Sequence, residues 1–127
     1  MYRLMFFLVT FLFICNIYGQ RDEIYRNEGK TYSHAGPSYN VDVLIMESDG
    51  AYKLMYLKFD SKKLKNKNIF YDLSTETGTW EKKKDTLYLK SDDGNRKRKF
   101  SILNEDKIAL FIEDVGLSPS KWKKVKH

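Results

Sequence analysis

The sequence predicts an all-β protein: an up-and-down antiparallel meander of about eight short strands, curled into a barrel or half-barrel behind an N-terminal signal peptide. Three observations carry that reading. From Ser38 onward, short apolar runs recur with a two-residue period, clusters of Asp, Asn, Gly, Ser and Lys break them at short intervals, and neither a helical period nor an internal repeat shows. At 127 residues the chain has room for one core.

Residues 1–19 open with Arg3, continue through the apolar run from Leu4 to Ile14 and end on small Gly19, the pattern of a signal peptide cut after Gly19. The run turns polar at Asn16, short of the roughly 20 apolar residues a membrane-spanning helix needs. Cys15 follows the run directly, where a lipidated cysteine would stand, but bulky Ile14 precedes it; membrane association is expected only if Cys15 is lipidated. Either way the expectation is export, to a periplasmic or extracellular location. Residues 20–37 are polar and read as an extended lead-in, and residues 38–127 as the barrel domain.

The first run, Tyr39 to Glu47, puts Tyr39, Val41, Val43 and Ile45 on one face, and Ser48-Asp49-Gly50 turns it. The return, Ala51 to Phe59, is partly apolar on both faces, as a strand is when one side lines a core and the other meets a second layer or a cavity. Residues 60–68 read as a basic loop, Ile69 to Leu73 as a strand, residues 74–78 as a turn and Thr79 to Glu81 as a short strand. Thr86 to Ser91 and Arg96 to Leu103 flank Asp92-Asp93-Gly94-Asn95, the strongest hairpin signal in the chain. Lys107 to Glu113 follows, then a loop through Gly116 and Pro119, and Trp122 to Lys126 closes the set.

Composition narrows the chemistry. The only cysteine lies in the leader and the histidines are His34 and His127, so neither a thiolate zinc site nor a metal or other cofactor is expected; His34 with a carboxylate such as Asp42 lacks any ligand at fixed spacing. No spacing sets a Ser against His34 as nucleophile to base, and Glu76, Glu81, Asp92 and Asp93 fall in or beside the expected turns, where carboxylates serve their own backbone. No catalytic residue is assigned. Charge is uneven: residues 20–81 hold 9 basic against 10 acidic side chains, residues 82–127 hold 13 against 7. With export expected, nucleic acid is not among the expected partners; an anionic envelope polymer or lipid head group fits the bias better.

The spacing Asp49-Gly50-x-Tyr52-x-Leu54, Gly78-x-Trp80, Asp85-x-Leu87-x-Leu89, Asp93-Gly94 and Phe100-x-Ile102 resembles small lipocalin-like domains of bacterial envelope proteins, in particular the N-terminal domain of NlpE-type outer-membrane lipoproteins. The resemblance implies a lipocalin-like barrel. The Cys-x-x-Cys of the NlpE type is absent, so neither copper binding nor thiol sensing carries over.

The resulting expectation is a non-enzymatic exported binding domain for a small apolar or amphipathic ligand, with Tyr52, Leu54, Tyr56, Trp80 and Leu89 around the ligand and Arg96 and Arg98 near the rim. The alternative is a protein-interaction module of the envelope, an inhibitor, sensor or assembly factor, in which the same aromatics fill the core.

Overall fold

The computed structural model describes residues 22–33 and 36–126, with side chains not described for residues 31–36; the leader with Cys15, His34 and His127 lie outside the described residues. Eight antiparallel strands form a closed barrel in sequence order: β1 (Glu23–Ser33), β2 (Gly36–Met46), β3 (Ala51–Phe59), β4 (Asp72–Lys83), β5 (Thr86–Ser91), β6 (Lys97–Asn104), β7 (Lys107–Ile112) and β8 (Gly116–Lys124). A short helix, α1 (Lys62–Asn66), interrupts the connection from β3 to β4.

The count of eight agrees with the expectation, but two of its members differ. The polar lead-in is in fact β1, paired with β2 from Glu23↔Met46 to Ser33↔Gly36 and closing the barrel through Tyr25↔Lys124 on β8. Its inward positions before the hairpin are Glu23, Tyr25, Asn27 and Gly29, so a single buried apolar side chain, Tyr25, leaves no alternation to read. Conversely, the two short runs around residues 74–78 are one strand. Gly78 is not a turn residue: a Cβ there would collide with the Lys90 carbonyl oxygen and lie 2.7 Å from the Tyr52 ring. The glycine is there because the tyrosine crosses it.

Smaller differences have equally local causes. The basic loop contains one helical turn because Ser61 caps it, its hydroxyl accepting from the Leu64 amide at 3.3 Å. The last strand begins at Gly116 rather than Trp122, with Pro119 at the irregularity in the β7–β8 register, where no ladder donor is needed. The two hairpin turns behave as read, with Gly50 at φ 97° and Gly94 at φ 74°.

Directly paired residues share a face of the sheet, so the register sorts the side chains. Leu44↔Leu54, Trp80↔Leu89, Leu87↔Phe100 and Ile108↔Trp122 all point inward. Leu44, Leu54, Leu87, Phe100 and Ile108 are almost wholly buried, and the Phe100 and Trp122 rings meet edge to face at 5.5 Å. One end of the barrel is thus plugged with hydrocarbon, each such side chain contributing about 1.5–3 kcal/mol. Outward, Tyr39↔Phe59 and Val41↔Leu57 form a second apolar cluster. The β3–β4 connection covers it: Phe70 stacks edge-on against Phe59 at 6.3 Å and the Lys65 ammonium lies 5.8 Å from the Tyr39 ring centre. This is the second layer expected of a strand apolar on both faces.

Three substitutions check this packing by denaturant or thermal unfolding. Gly78→Ala is expected to cost about 2 kcal/mol or more, since backbone must shift to admit one methyl. Trp122→Ala, emptying a buried site, should cost about 3–5 kcal/mol; Trp80→Ala, at a half-buried position, should cost clearly less.

Candidate functional site

The inward positions of β4 change character along the strand. Trp80 and Gly78 face the apolar plug, while Glu76 and Ser74, opposite Leu54 and Tyr56 of β3, stand where the interior turns polar. On β6 the same change falls between Phe100 and Arg98. Glu76 and Arg98 therefore meet across β5 inside the barrel. The Arg98 fork donates from Nε to Oε2 and from Nη2 to Oε1 of Glu76, each at 3.1 Å, and the Tyr52 hydroxyl donates to Oε2 at 2.9 Å. Side-chain exposure is 11% for Glu76 and 22% for Arg98, so this pair is largely removed from solvent screening. Arg96 approaches Glu76 at 3.6 Å but is exposed and adds little. The Arg98 guanidinium also lies 5.8 Å from the centre of the Tyr56 ring.

The proton equilibria follow from this arrangement. Burial pushes the Glu76 carboxyl up, but hydrogen bonds from Arg98 and Tyr52 and the charges of both arginines outweigh it and hold the group below its usual range. Arg98 is held firmly charged, chiefly by its bonds to Glu76. Burial, with the Glu76 carboxylate beside it, keeps the Tyr52 phenol protonated well above the ordinary tyrosine range, and burial does the same for Tyr56. Asp42, inward on β2 opposite Tyr56, is pushed up from 3.8 to about 6 by burial, with Arg98 pulling the other way.

Beside this network opens a cleft of about 420 Å³ whose walls include Tyr56, Ser74, Glu76, Asp92 and Arg96. Its acids already have donors. Thr77 Oγ1 donates to Asp92 at 2.6 Å, and the Ser91 hydroxyl and the Asn95 amide donate to Asp93, holding that exposed carboxyl below its ordinary value. A larger groove of about 640 Å³ is bordered by Trp80, Leu89 and Arg98 together with Tyr88 and Lys97, on β4, β5 and β6. Among the described residues no cluster of three or more His, Cys, Asp or Glu is placed to hold a metal ion.

Of the residues singled out from sequence, the structure gathers Tyr52, Tyr56, Arg96 and Arg98 around Glu76. Leu54 and Leu89 are core residues, 0% and 2% exposed, and the Tyr52 ring is likewise packed in the core, only its hydroxyl reaching the network. Trp80 is half-buried, and its indole N–H donates to the Glu47 carbonyl at 2.8 Å, pinning the β2–β3 turn. Glu76, Ser74 and Asp42 were the residues to find. The phase Ser74-x-Glu76-x-Gly78-x-Trp80 marks the first two, once Gly78 is understood as strand rather than turn.

Asp42 makes the stability depend on pH. Its folded value of about 6 lies above the ordinary 3.8, so the folded state holds the proton more tightly than the unfolded one; stability is fullest below about pH 4 and falls as pH rises through about 6. Glu76 acts in the opposite sense, its contribution present at neutral pH and lost as pH falls below its ordinary 4.5. Asp42→Asn is expected to remove the decline between about pH 4 and 6 and to raise the neutral-pH melting temperature by several degrees. Thermal scans across that range check this; an unaltered decline would assign it to another group.

The family model of the lipocalin-like domain matches residues 20–110, a span that takes in β1 and reaches into β7. No curated protein and no solved structure matches the chain. The family match bears on the lipocalin-like part of the resemblance and does not single out the NlpE type. It covers more than half of the sequence and accords with a closed eight-stranded antiparallel barrel, so the chain belongs to the lipocalin-like domain family.

Proposed function

We propose that this chain is a non-enzymatic, exported binding domain that takes a small amphipathic ligand at the open end of its barrel. A lipocalin-like barrel supports a binding role, and the apolar leader of residues 1–19 supports export. The observation that carries the reading is the division of the interior: hydrocarbon fills one end, and a polar cleft of about 420 Å³ opens at the other. A ligand held there is grasped by its polar end, not swallowed.

The cleft favours an uncharged, hydroxyl-bearing head. Inside the cleft Glu76 is already paired by Arg98, and the charges that remain, those of Arg96, Asp92 and Asp93, stand exposed where water screens them, so a formal charge on the ligand would gain little there. The hydroxyls of Ser74, Thr75 and Tyr56 offer both donors and acceptors, and the Tyr56 ring gives an apolar part a surface to lie on.

Three amphiphiles with the same chain and different heads, octyl glucoside, octanoate and octylamine, test this by calorimetric titration below their micelle concentrations. Octyl glucoside is expected to bind most tightly, and Ser74→Val or Arg96→Ala to weaken it about tenfold, the worth of a hydrogen bond. Equal binding of all three, or indifference to both substitutions, would remove the ligand reading. The filled core would then favour the second one, a protein-interaction module that docks through its surface.

A further inference from the structure

In an up-and-down barrel, connections alternate between the two ends. The β2–β3, β4–β5 and β6–β7 turns cap the plugged end, with Ser48-Asp49, Lys84-Asp85 and Glu105-Asp106 at their tips, all polar. The opposite end carries the β3–β4, β5–β6 and β7–β8 connections; the β5–β6 hairpin is polar, with exposed Asp92 and Asp93, but in the other two the composition inverts. Ile69, Phe70, Tyr71 and Leu73 stand 55%, 43%, 56% and 46% exposed in and just after the first. Phe111, Ile112, Val115 and Leu117 flank or form the second, with Val115 at 75%. Eight of the eleven exposed large hydrophobic residues among those described thus gather at the open end. Scattered singly they would mean little; gathered on loop tips they mark a surface that meets an apolar medium.

The charge around them indicates which medium. From Lys58 to Leu73 the chain carries five lysines against Asp60 and Asp72. Lys65 is tied to Glu28 at 3.2 Å and lies over Tyr39, holding the helical turn on the barrel, while Lys58, Lys62, Lys63 and Lys67 are exposed. Asp72 pairs in register with Lys58, and Glu113 and Asp114 belong to the other connection. Lysines at head-group level beside aliphatic and aromatic tips are the arrangement of an interfacial membrane contact.

We propose that the open end of the barrel docks on an anionic phospholipid bilayer, Ile69, Phe70, Tyr71 and Leu73 entering the head-group region and Lys62, Lys63 and Lys67 pairing with lipid phosphates. The contact requires no ligand in the cleft, so it stands apart from the amphiphile titration.

Among the described residues, all eight strands of the closed barrel and the buried core fall within residues 20–127, so this stretch is taken as the folding unit without the apolar leader. This unit is floated with vesicles of phosphatidylcholine alone or mixed with phosphatidylglycerol. Binding is expected with the anionic vesicles, to fall about tenfold or more in Lys62→Glu/Lys63→Glu and in Ile69→Ser/Tyr71→Ser, and to weaken at high salt. Lys121→Glu/Lys123→Glu, an equal change of charge on β8, should leave it nearly unchanged. Matching circular dichroism and melting temperature show that the exposed substitutions leave the fold intact. No binding to anionic vesicles, or equal loss in both charge-reversed proteins, overturns the proposal; so does binding indifferent to the apolar substitutions, which leaves the patch to a protein partner.

Discussion

The barrel is organised around one buried carboxylate. Glu76 faces inward among side chains that include fully buried Leu54, where a lone negative charge would be costly to desolvate. It is tolerated because two other strands supply its partners, Arg98 from β6 as a two-pronged donor and Tyr52 from β3 as a hydroxyl donor. These contacts depend on one another. Gly78 has no side chain, so Tyr52 can cross β4; its hydroxyl then reaches Glu76, Glu76 fixes the Arg98 fork, and Arg98 lies near the Tyr56 ring at the cleft wall. Removing one member would leave another charge poorly compensated, which for a fully buried pair costs about 3–5 kcal/mol and here less, because water reaches Arg98. The network also separates the two halves of the interior, hydrocarbon on one side and polar groups on the other.

Asp42 shows what the same environment does to a carboxyl lacking such partners. It is also inward-facing and feels Arg98, yet that arginine is already committed to Glu76, so burial prevails and the group keeps its proton to about pH 6. Two acids in one interior thus end on opposite sides of their ordinary values although the same cation lowers both, because only Glu76 has the hydrogen bonds that outweigh burial.

Much of this was legible in the sequence. The two-residue period identified the faces of β3, β5 and β6, glycine and acidic residues located two hairpin turns, and apolar residues on both faces of β3 implied the outer layer that Phe70 supplies. What was lost was lost for physical reasons. β1 has one buried apolar side chain in the described part of its length, because much of it lines the polar half, where alternation of apolar and polar residues cannot show. Residues 74–78 look like a turn by composition, yet a strand lining a polar interior is built of Ser, Thr and Glu, and its glycine answers the ring of Tyr52 on the neighbouring strand and not a bend. The sequence placed Arg96 and Arg98 together near the rim; that one would be engaged and the other exposed depended on Glu76, whose inward direction only the β3–β4 register establishes.

Polarity runs in opposite directions inside and outside the molecule. Along the barrel axis the interior passes from packed hydrocarbon to a hydroxyl-lined, charge-paired cleft, while two of the connecting loops at the cleft end, unlike the loops at the plugged end, bear Phe70, Tyr71 and Val115. Neither gradient helps the barrel to fold: burying more hydrocarbon inside and exposing less of it on the loops would stabilise the domain further. The Phe59–Phe70 contact accounts for one of the exposed rings, but Ile69, Tyr71 and Val115 remain more than half exposed. Stability therefore does not explain why polar groups line the cleft and apolar ones surround it. An object that meets a lipid surface with its rim, while presenting hydrogen-bonding groups to whatever lies within the rim, requires this inversion, and the two features occur at the same end of the barrel.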